Sequence, residues 1–138
     1  MAEIEYSLRP IGFIRSSLTS RTGAPRQGGE GAPDAWVELD LRVSEGLMGM
    51  TAGNEVILIT WLHQAAREVL QVHPRGEAER PIAGVFTTRS PDRPNPLGLH
   101  RVTVLGIAGI SLKVGPIEAI DGTPVVDIKP ARGRCVDW

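Results

Sequence analysis

The sequence predicts an all-β domain of many short strands, closed into a small barrel or packed as a sandwich, with only short helical turns. Three observations point there. Apolar residues recur with a period of two over several short runs, where an amphipathic helix would space them by three or four. Glycine and proline number 16 and 11 among 138 residues and punctuate those runs too often for long helices. Aromatic residues make up only 4% of the chain, so the core must rely on Val, Ile and Leu, the first two β-branched and suited to a pleated sheet.

The elements follow in order. Residues 8–15 are the first expected strand, with Ile11 and Phe13 on one phase and Ile14 on the other. Residues 35–41 place Val37, Leu39 and Leu41 on one face, opposite Glu38 and Asp40. Residues 44–50 read as a helical turn with Ser44 as N-cap and Leu47 and Met48 turned inward; Gly46 and Gly49 keep it short. Residues 55–62 are an apolar run of buried-strand length. Residues 63–70 are either a helical turn or an extension of that strand. Residues 69–72 form a short strand ending at Pro74, and 82–87 another that leads into a proline-rich loop. Residues 101–107 and 110–114 pair through a hairpin at Gly106-Ile107-Ala108-Gly109, and 125–128 close the series. Residues 75–80 are a charged loop. Residues 19–33 are rich in Gly, Pro and Arg and nearly devoid of apolar side chains, so they are mobile or are ordered by a ligand or a neighbour.

Length and composition fit one domain, residues 1–138, with 41% hydrophobic and 22% charged residues. No stretch reaches the roughly 18 consecutive apolar residues of a membrane span, and the start, Met1-Ala2-Glu3-Ile4-Glu5-Tyr6, lacks a signal-peptide core. The lone Cys135 cannot form an internal disulfide, which fits a cytoplasmic, reducing setting. Net charge is −1, and Lys113 and Lys129 are the only lysines. Any nucleic-acid contact must therefore come from a local arginine patch, for which Arg15, Arg21, Arg26, Arg89 and Arg93 are the candidates. Neither a P-loop nor a dinucleotide-binding glycine motif is present. His63, His73 and His100 lack metal-ligand spacing, so no metal is expected, and each reads as a structural or surface residue.

One stretch stands out: Gly84-Val85-Phe86-Thr87-Thr88-Arg89-Ser90-Pro91-Asp92-Arg93-Pro94-Asn95-Pro96-Leu97-Gly98-Leu99. Its prolines fix φ and remove backbone donors, which excludes helix and central strand and sets Arg89 and Arg93 on a rigid loop. Such a loop either binds something or is a surface turn with solvated arginines. The stretch closely resembles the signature of the TsaA/TrmO-like family. Three further pieces match in the same order: Ile11-Gly12-Phe13-Ile14-Arg15-Ser16 followed by Pro25-Arg26-Gln27; Thr60-Trp61-Leu62-His63-Gln64-Ala65; and Asp121-Gly122-Thr123-Pro124-Val125-Val126-Asp127-Ile128-Lys129-Pro130. Where family members often place a tyrosine-containing tail after Lys-Pro, this chain continues with Ala131.

The resemblance implies a small closed β-barrel methyltransferase using S-adenosyl-L-methionine, with no Rossmann fold. It implies cofactor contacts from Pro25, Arg26, Gln27, His63, Gln64, Arg89, Leu99, Asp121, Gly122 and Thr123, and it assigns no catalytic residue. The residue types suit that task. Arg26 or Arg89 can fork a carboxylate, Asp121 can accept from an amine or a ribose hydroxyl, Gly122 permits close approach, and Leu99 can wall an adenine. Methyl transfer from a sulfonium relies on positioning and desolvation, so a chain without a triad can perform it. The best-known members methylate N6 of threonylcarbamoyl-adenosine beside the tRNA anticodon. A small-molecule acceptor and a non-catalytic cofactor- or RNA-binding barrel are the alternatives. Family members are typically homodimers, and packing against a second subunit would order residues 19–33. Leu47, Met48 and Met50 are either its apolar contacts or a plug for one end of the barrel.

Overall fold

Antiparallel strands whose inward positions are aliphatic close on themselves. The computed structural model describes residues 3–22, 24–133 and 135. Its strands are β1 (Gly12–Arg15), β2 (Ala35–Leu39), β3 (Glu55–Trp61), β4 (Gln71–Val72), β5 (Ala83–Gly84), β6 (Leu97–Ala108), β7 (Ser111–Gly115) and β8 (Pro124–Pro130). Six of them form a closed barrel in the order β1-β2-β7-β6-β3-β8, and β8 returns to β1. Every neighbouring pair is antiparallel. Closure leaves no exposed sheet edge and decides for a barrel over a sandwich. β4 and β5 make a separate two-stranded ribbon. The only helical pieces among the described residues are short 3-10 turns: Gly28–Glu30, Leu41–Leu47, Pro74–Gly76 and Val85–Thr87.

The period-two reading holds in the core. Ala35, Val37 and Leu39 of β2, Val56 and Leu58 of β3, Val102 and Val104 of β6, and Leu112 and Val114 of β7 point inward and are buried. Ile14, Ile117, Ala119 and Val125 complete this core. One end of the barrel is stoppered by Val43, Leu47 and Met50, which pack against it. Leu47 and Met50 are thus plug residues, while Met48 is 90% exposed.

Several boundaries differ from the sequence reading. The first strand begins at Gly12, with Ile14 inward and Phe13 half-exposed. β2 stops at Leu39 because the Asp40 carboxylate accepts from the Arg42 N–H and starts a 3-10 turn. Asp40, not Ser44, is the cap, and Leu41 is turned to solvent. Residues 63–70 are turns and bends, neither helix nor strand. The strand expected over 69–72 is the two-residue β4, and that over 82–87 is β5 followed by a 3-10 turn. β6 runs from Leu97 to Ala108, so the constrained loop ends at Pro96 and Leu97, Gly98 and Leu99 lie in a barrel strand. Gly106 falls at a register shift, and the hairpin turn is Gly109-Ile110, with Gly109 at φ 63°.

The Met1-Ala2 part of the acidic N-terminus, Gly23 within the 19–33 loop, and Arg134 and Val136-Asp137-Trp138 of the C-terminal run lie outside the described residues. Among the described residues no helix is long and apolar enough to cross a membrane. None of their His, Cys, Asp and Glu side chains form a group of three or more able to hold a metal ion.

Candidate functional site

Strand direction sorts the connections into two ends. β1, β3 and β7 run toward one mouth of the barrel, and β2, β6 and β8 start from it. That mouth carries three connections: residues 16–34, 62–96 and 116–123. Every residue that the resemblance implies as a cofactor contact is there. Pro25, Arg26 and Gln27 lie on the first, His63, Gln64 and Arg89 on the second, and Asp121, Gly122 and Thr123 on the third. Leu99 sits near the start of β6.

Side-chain bonds lace the three connections together. The Arg21 guanidinium donates to the Gln64 carbonyl at 3.1 Å and to Asp92 Oδ2 at 3.3 Å. Asp92 Oδ1 accepts from the Ala66 N–H at 2.8 Å, and the Ala66 carbonyl accepts from the Arg93 N–H at 3.0 Å. Arg67 lies 5.1 Å from the centre of the Trp61 ring and donates to the Pro94 carbonyl and to Asn95 Oδ1. Farther along the first connection, Glu30 accepts from Arg75 at 2.6 Å and from the Arg26 N–H at 3.3 Å. The bond from Arg75 holds the Glu30 carboxyl below its ordinary range. Arg21 and Glu30 thus tie the first connection to the second within one chain by long-range ion pairs that local composition does not reveal.

The arginines divide sharply. Arg93 is half-buried and spends its guanidinium on the carbonyls of Val85 (2.7 Å), Ser90 (3.0 Å) and Thr88 (3.1 Å). It is the keystone of its loop. Arg15 pairs with Glu38 and Arg21 with Asp92. The five-arginine patch considered from the sequence is thus reduced: Arg26 and Arg89 are exposed and, among the described residues, have no side-chain hydrogen-bond partner.

The Asp121-Gly122-Thr123 turn is anchored to the chain just after β1. Asp121 Oδ1 accepts from the Ser16 N–H at 3.0 Å, the Asp121 N–H donates to the Leu18 carbonyl at 2.6 Å, and the Gly122 N–H donates to the Ile14 carbonyl at 2.7 Å. Gly122 has φ 83° and open space where a Cβ would project, so its backbone can be approached closely. The Thr123 hydroxyl is buried and donates to the Ile120 carbonyl. His63 and Gln64 are exposed on a turn, and Leu99 is 48% exposed on the outer face of β6. Two unspent guanidinium groups, an approachable backbone, a carboxylate with one engaged oxygen and an exposed leucine fit a zwitterionic, adenine-bearing ligand.

Two concavities, of about 250 and 160 Å³, lie toward the opposite end of the barrel. One is bounded by Gly53, Asn54, Glu55, Arg132 and Cys135, the other by the plug residues. Neither is lined by a candidate residue.

Three residues not assigned to the site sit just inside this mouth. His100, on the inward face of β6, has its Nε2 2.7 Å from Thr60 Oγ1 and its Nδ1 2.6 Å from Glu118 Oε1. The sequence carries no clear signal for it, because Gly98 precedes it on the inward phase of β6 and Pro94 and Pro96 mask the start of the strand.

A family model described as tRNA-methyltransferase O N-terminal domain matches residues 13–135. The chain is 38% identical over 130 residues to a probable S-adenosyl-L-methionine-binding protein of Methanothermobacter thermautotrophicus, covering 94% of this chain and 93% of that protein. It is 40% identical over 122 residues to an S-adenosyl-L-methionine-binding protein of Archaeoglobus fulgidus, covering 88% and 86%. Among solved structures, TrmO from Pseudomonas aeruginosa superposes with a TM-score of 0.74 at 32% identity, covering 94% of this chain. The chain spans only 57% of that solved protein.

Proposed function

This chain belongs to the tRNA-methyltransferase O N-terminal domain family, and from that premise we propose that it is an S-adenosyl-L-methionine-dependent methyltransferase working at the laced mouth of its barrel. The observation that carries the reading is the meeting of all the candidate segments there, with Arg26 and Arg89 left unspent while the neighbouring Arg93 and Arg21 are consumed in holding the loops.

Arg26 and Arg89 would take the methionine carboxylate, since a guanidinium forks a carboxylate through two parallel bonds. Asp121, with Oδ1 committed to Ser16, would offer Oδ2 to the amine or to a ribose hydroxyl. Gly122 would admit the ligand against its backbone, and Leu99 would wall the adenine. Pro25, Gln27, His63, Gln64 and Thr123 complete the proposed cofactor set, the last through its backbone because its hydroxyl is engaged. The bound sulfonium supplies an activated methyl group. The protein's part is to orient the acceptor in line with it and to exclude water.

The family name supports a tRNA acceptor, and we assign that acceptor as N6 of threonylcarbamoyl-adenosine beside the anticodon. The cytoplasm is the proposed compartment. In a single chain Arg26, His63, Gln64 and Arg89 are exposed, and a second subunit placed against them would enclose the ligand; a homodimer is the proposed assembly. The test is incubation with labelled S-adenosyl-L-methionine and total tRNA, followed by nucleoside analysis. Label in a modified adenosine supports the assignment. Label only in a low-molecular-weight fraction moves the acceptor to a small molecule. A second reading is a non-catalytic barrel, favoured by relatives that are named only as binding proteins; saturable cofactor binding without turnover on either acceptor would establish it.

A further inference from the structure

We propose that His100 is a positioning residue of the cofactor site, acting through Glu118 and Thr60 to lock together the chain segments that carry it. This rests on the cofactor site proposed above.

Apart from Thr123, the buried side chains among the described residues are otherwise aliphatic, yet they surround this hydrogen-bonded triad. The His100 side chain is 4% exposed and that of Glu118 19%. An ionised carboxylate can only accept, so His100 Nδ1 carries a proton toward Glu118. In the neutral ring Nε2 then accepts from the Thr60 hydroxyl. Among the described residues no buried side-chain polar atom lacks a partner, those of Thr60 and His100 included. Space is reserved for it. A Cβ on Gly98 would lie 2.5 Å from Thr60 Oγ1 and 2.7 Å from His100 Nε2. Apolar side chains could fill such a volume at no loss of stability, so a buried polar group of this kind is better explained by the arrangement it specifies.

What it specifies is visible from its neighbours. Thr60 is near the end of β3, directly before the His63-Gln64 turn. His100 follows Leu99. Glu118 sits on the connection that leads into Asp121-Gly122-Thr123. Its second oxygen faces the first connection: a Cβ on Gly28, next to Gln27, would lie 3.6 Å from Glu118 Oε2 and 2.7 Å from the Pro116 carbonyl. From its place on β6, one imidazole thereby bonds a residue of β3 and a residue of the third connection, and Glu118 in turn faces the first connection.

The experiment is calorimetric titration with S-adenosyl-L-methionine, with melting followed in parallel. His100→Leu and Glu118→Leu should each weaken binding about tenfold or more, the scale of losing a charged hydrogen-bond partner. Glu118→Gln keeps an acceptor for Nδ1–H and should stay within about threefold. Val104→Ala, a core deletion near the opposite end, should melt earlier with unchanged affinity. If His100→Leu and Glu118→Leu merely melt early, as Val104→Ala does, with affinity intact, the triad is only structural and the proposal falls. Should either leucine variant fail to fold, the isosteric Thr60→Val carries the same test. Should the intact protein not bind the cofactor, the site reading fails, and the inference is then judged by amide exchange. Faster exchange at Gln64 and at Asp121 to Thr123 in Glu118→Leu, with β7 unchanged, upholds the coupling; unchanged exchange there overturns it.

Discussion

Replacing Arg93 with methionine keeps the length and apolar stem of the side chain and removes its fork. Three carbonyls lose their charged donor, those of Val85, Ser90 and Thr88, at 2.7, 3.0 and 3.1 Å. Val85 is buried, with 1% of its surface exposed, and its carbonyl would keep only the neutral donors of Thr88, the N–H and the hydroxyl, each at 3.1 Å. The other two carbonyls belong to half-buried residues and recover part of their loss from solvent. One full charged bond and two partial ones give about 2–4 kcal/mol of destabilisation. For a domain of this size that is a fall of roughly 6–15 °C in Tm. Arg93→Lys presents a point charge in place of the fork and should recover only part of it. Arg89→Met is the matched opposite. It is exposed and makes no intramolecular bond among the described residues, so stability should stay within about 0.5 kcal/mol while cofactor affinity falls about tenfold. Thermal melting with calorimetric titration separates the two. If Arg93→Met melts with the parent protein, or if Arg89→Met destabilises while binding normally, the division into a structural and a ligand-facing arginine is wrong.

Acid should loosen the first connection. The Glu30 carboxyl is held below its ordinary value by Arg75, so the contribution of that pair is complete above the unfolded value near 4.5 and is lost as pH falls through the lower folded value. Amide exchange around residues 26–30 should rise in that acid range, and Glu30→Gln should remove the step. Asp40, brought to about 2 by Arg42, should hold its turn through a lower window, between about 3.8 and 2. If tRNA is the acceptor, affinity should fall with added salt, but with a shallow slope, because Arg15, Arg21 and Arg93 are already partnered; a steep slope would show that the phosphates are met by other cations. Sedimentation equilibrium at micromolar concentration should give a dimer, and a monomer with intact cofactor binding would reject a shared site.

The outline of the fold was legible because inward positions of β2, β7 and β8 are aliphatic and their outward positions often are not. The start of β6 was not legible for the same reason reversed. Its inward residues there are Gly98 and His100, so the hydrophobic phase vanishes just where Pro94 and Pro96 suggest a loop. Leu41 was misplaced because alternation continues in sequence after Asp40 has turned the backbone. The arginines show the limit most clearly. Arg89 and Arg93 share a loop and a composition, and only the carbonyls around Arg93 reveal that it is spent. Likewise Thr60, His100 and Glu118 are far apart in the chain, and no local pattern joins them.

The placement of the site, by contrast, follows from counting strands. In a closed antiparallel barrel, successive connections alternate between the two ends. The matching segments lie after β1, after β3 and after β7, with β2 between the first two and β6 between the last two. Each successive pair is therefore separated by one connection at the other end and returns to the same mouth. The β4–β5 ribbon lies within one connection and adds two strands, so it leaves that parity unchanged. A chain whose short hairpin turn, Gly109-Ile110, and plug residues occupy one end has the other free for long loops. The arginine-rich segment from 16 to 34 can then reach both the Asp121 turn, through Ser16 and Leu18, and the proline-rich loop, through Arg21. A cofactor site assembled this way depends on loop-to-loop bonds more than on any one strand, which is why disrupting Arg93 or His100, neither of them offered to the ligand, should be felt at the site.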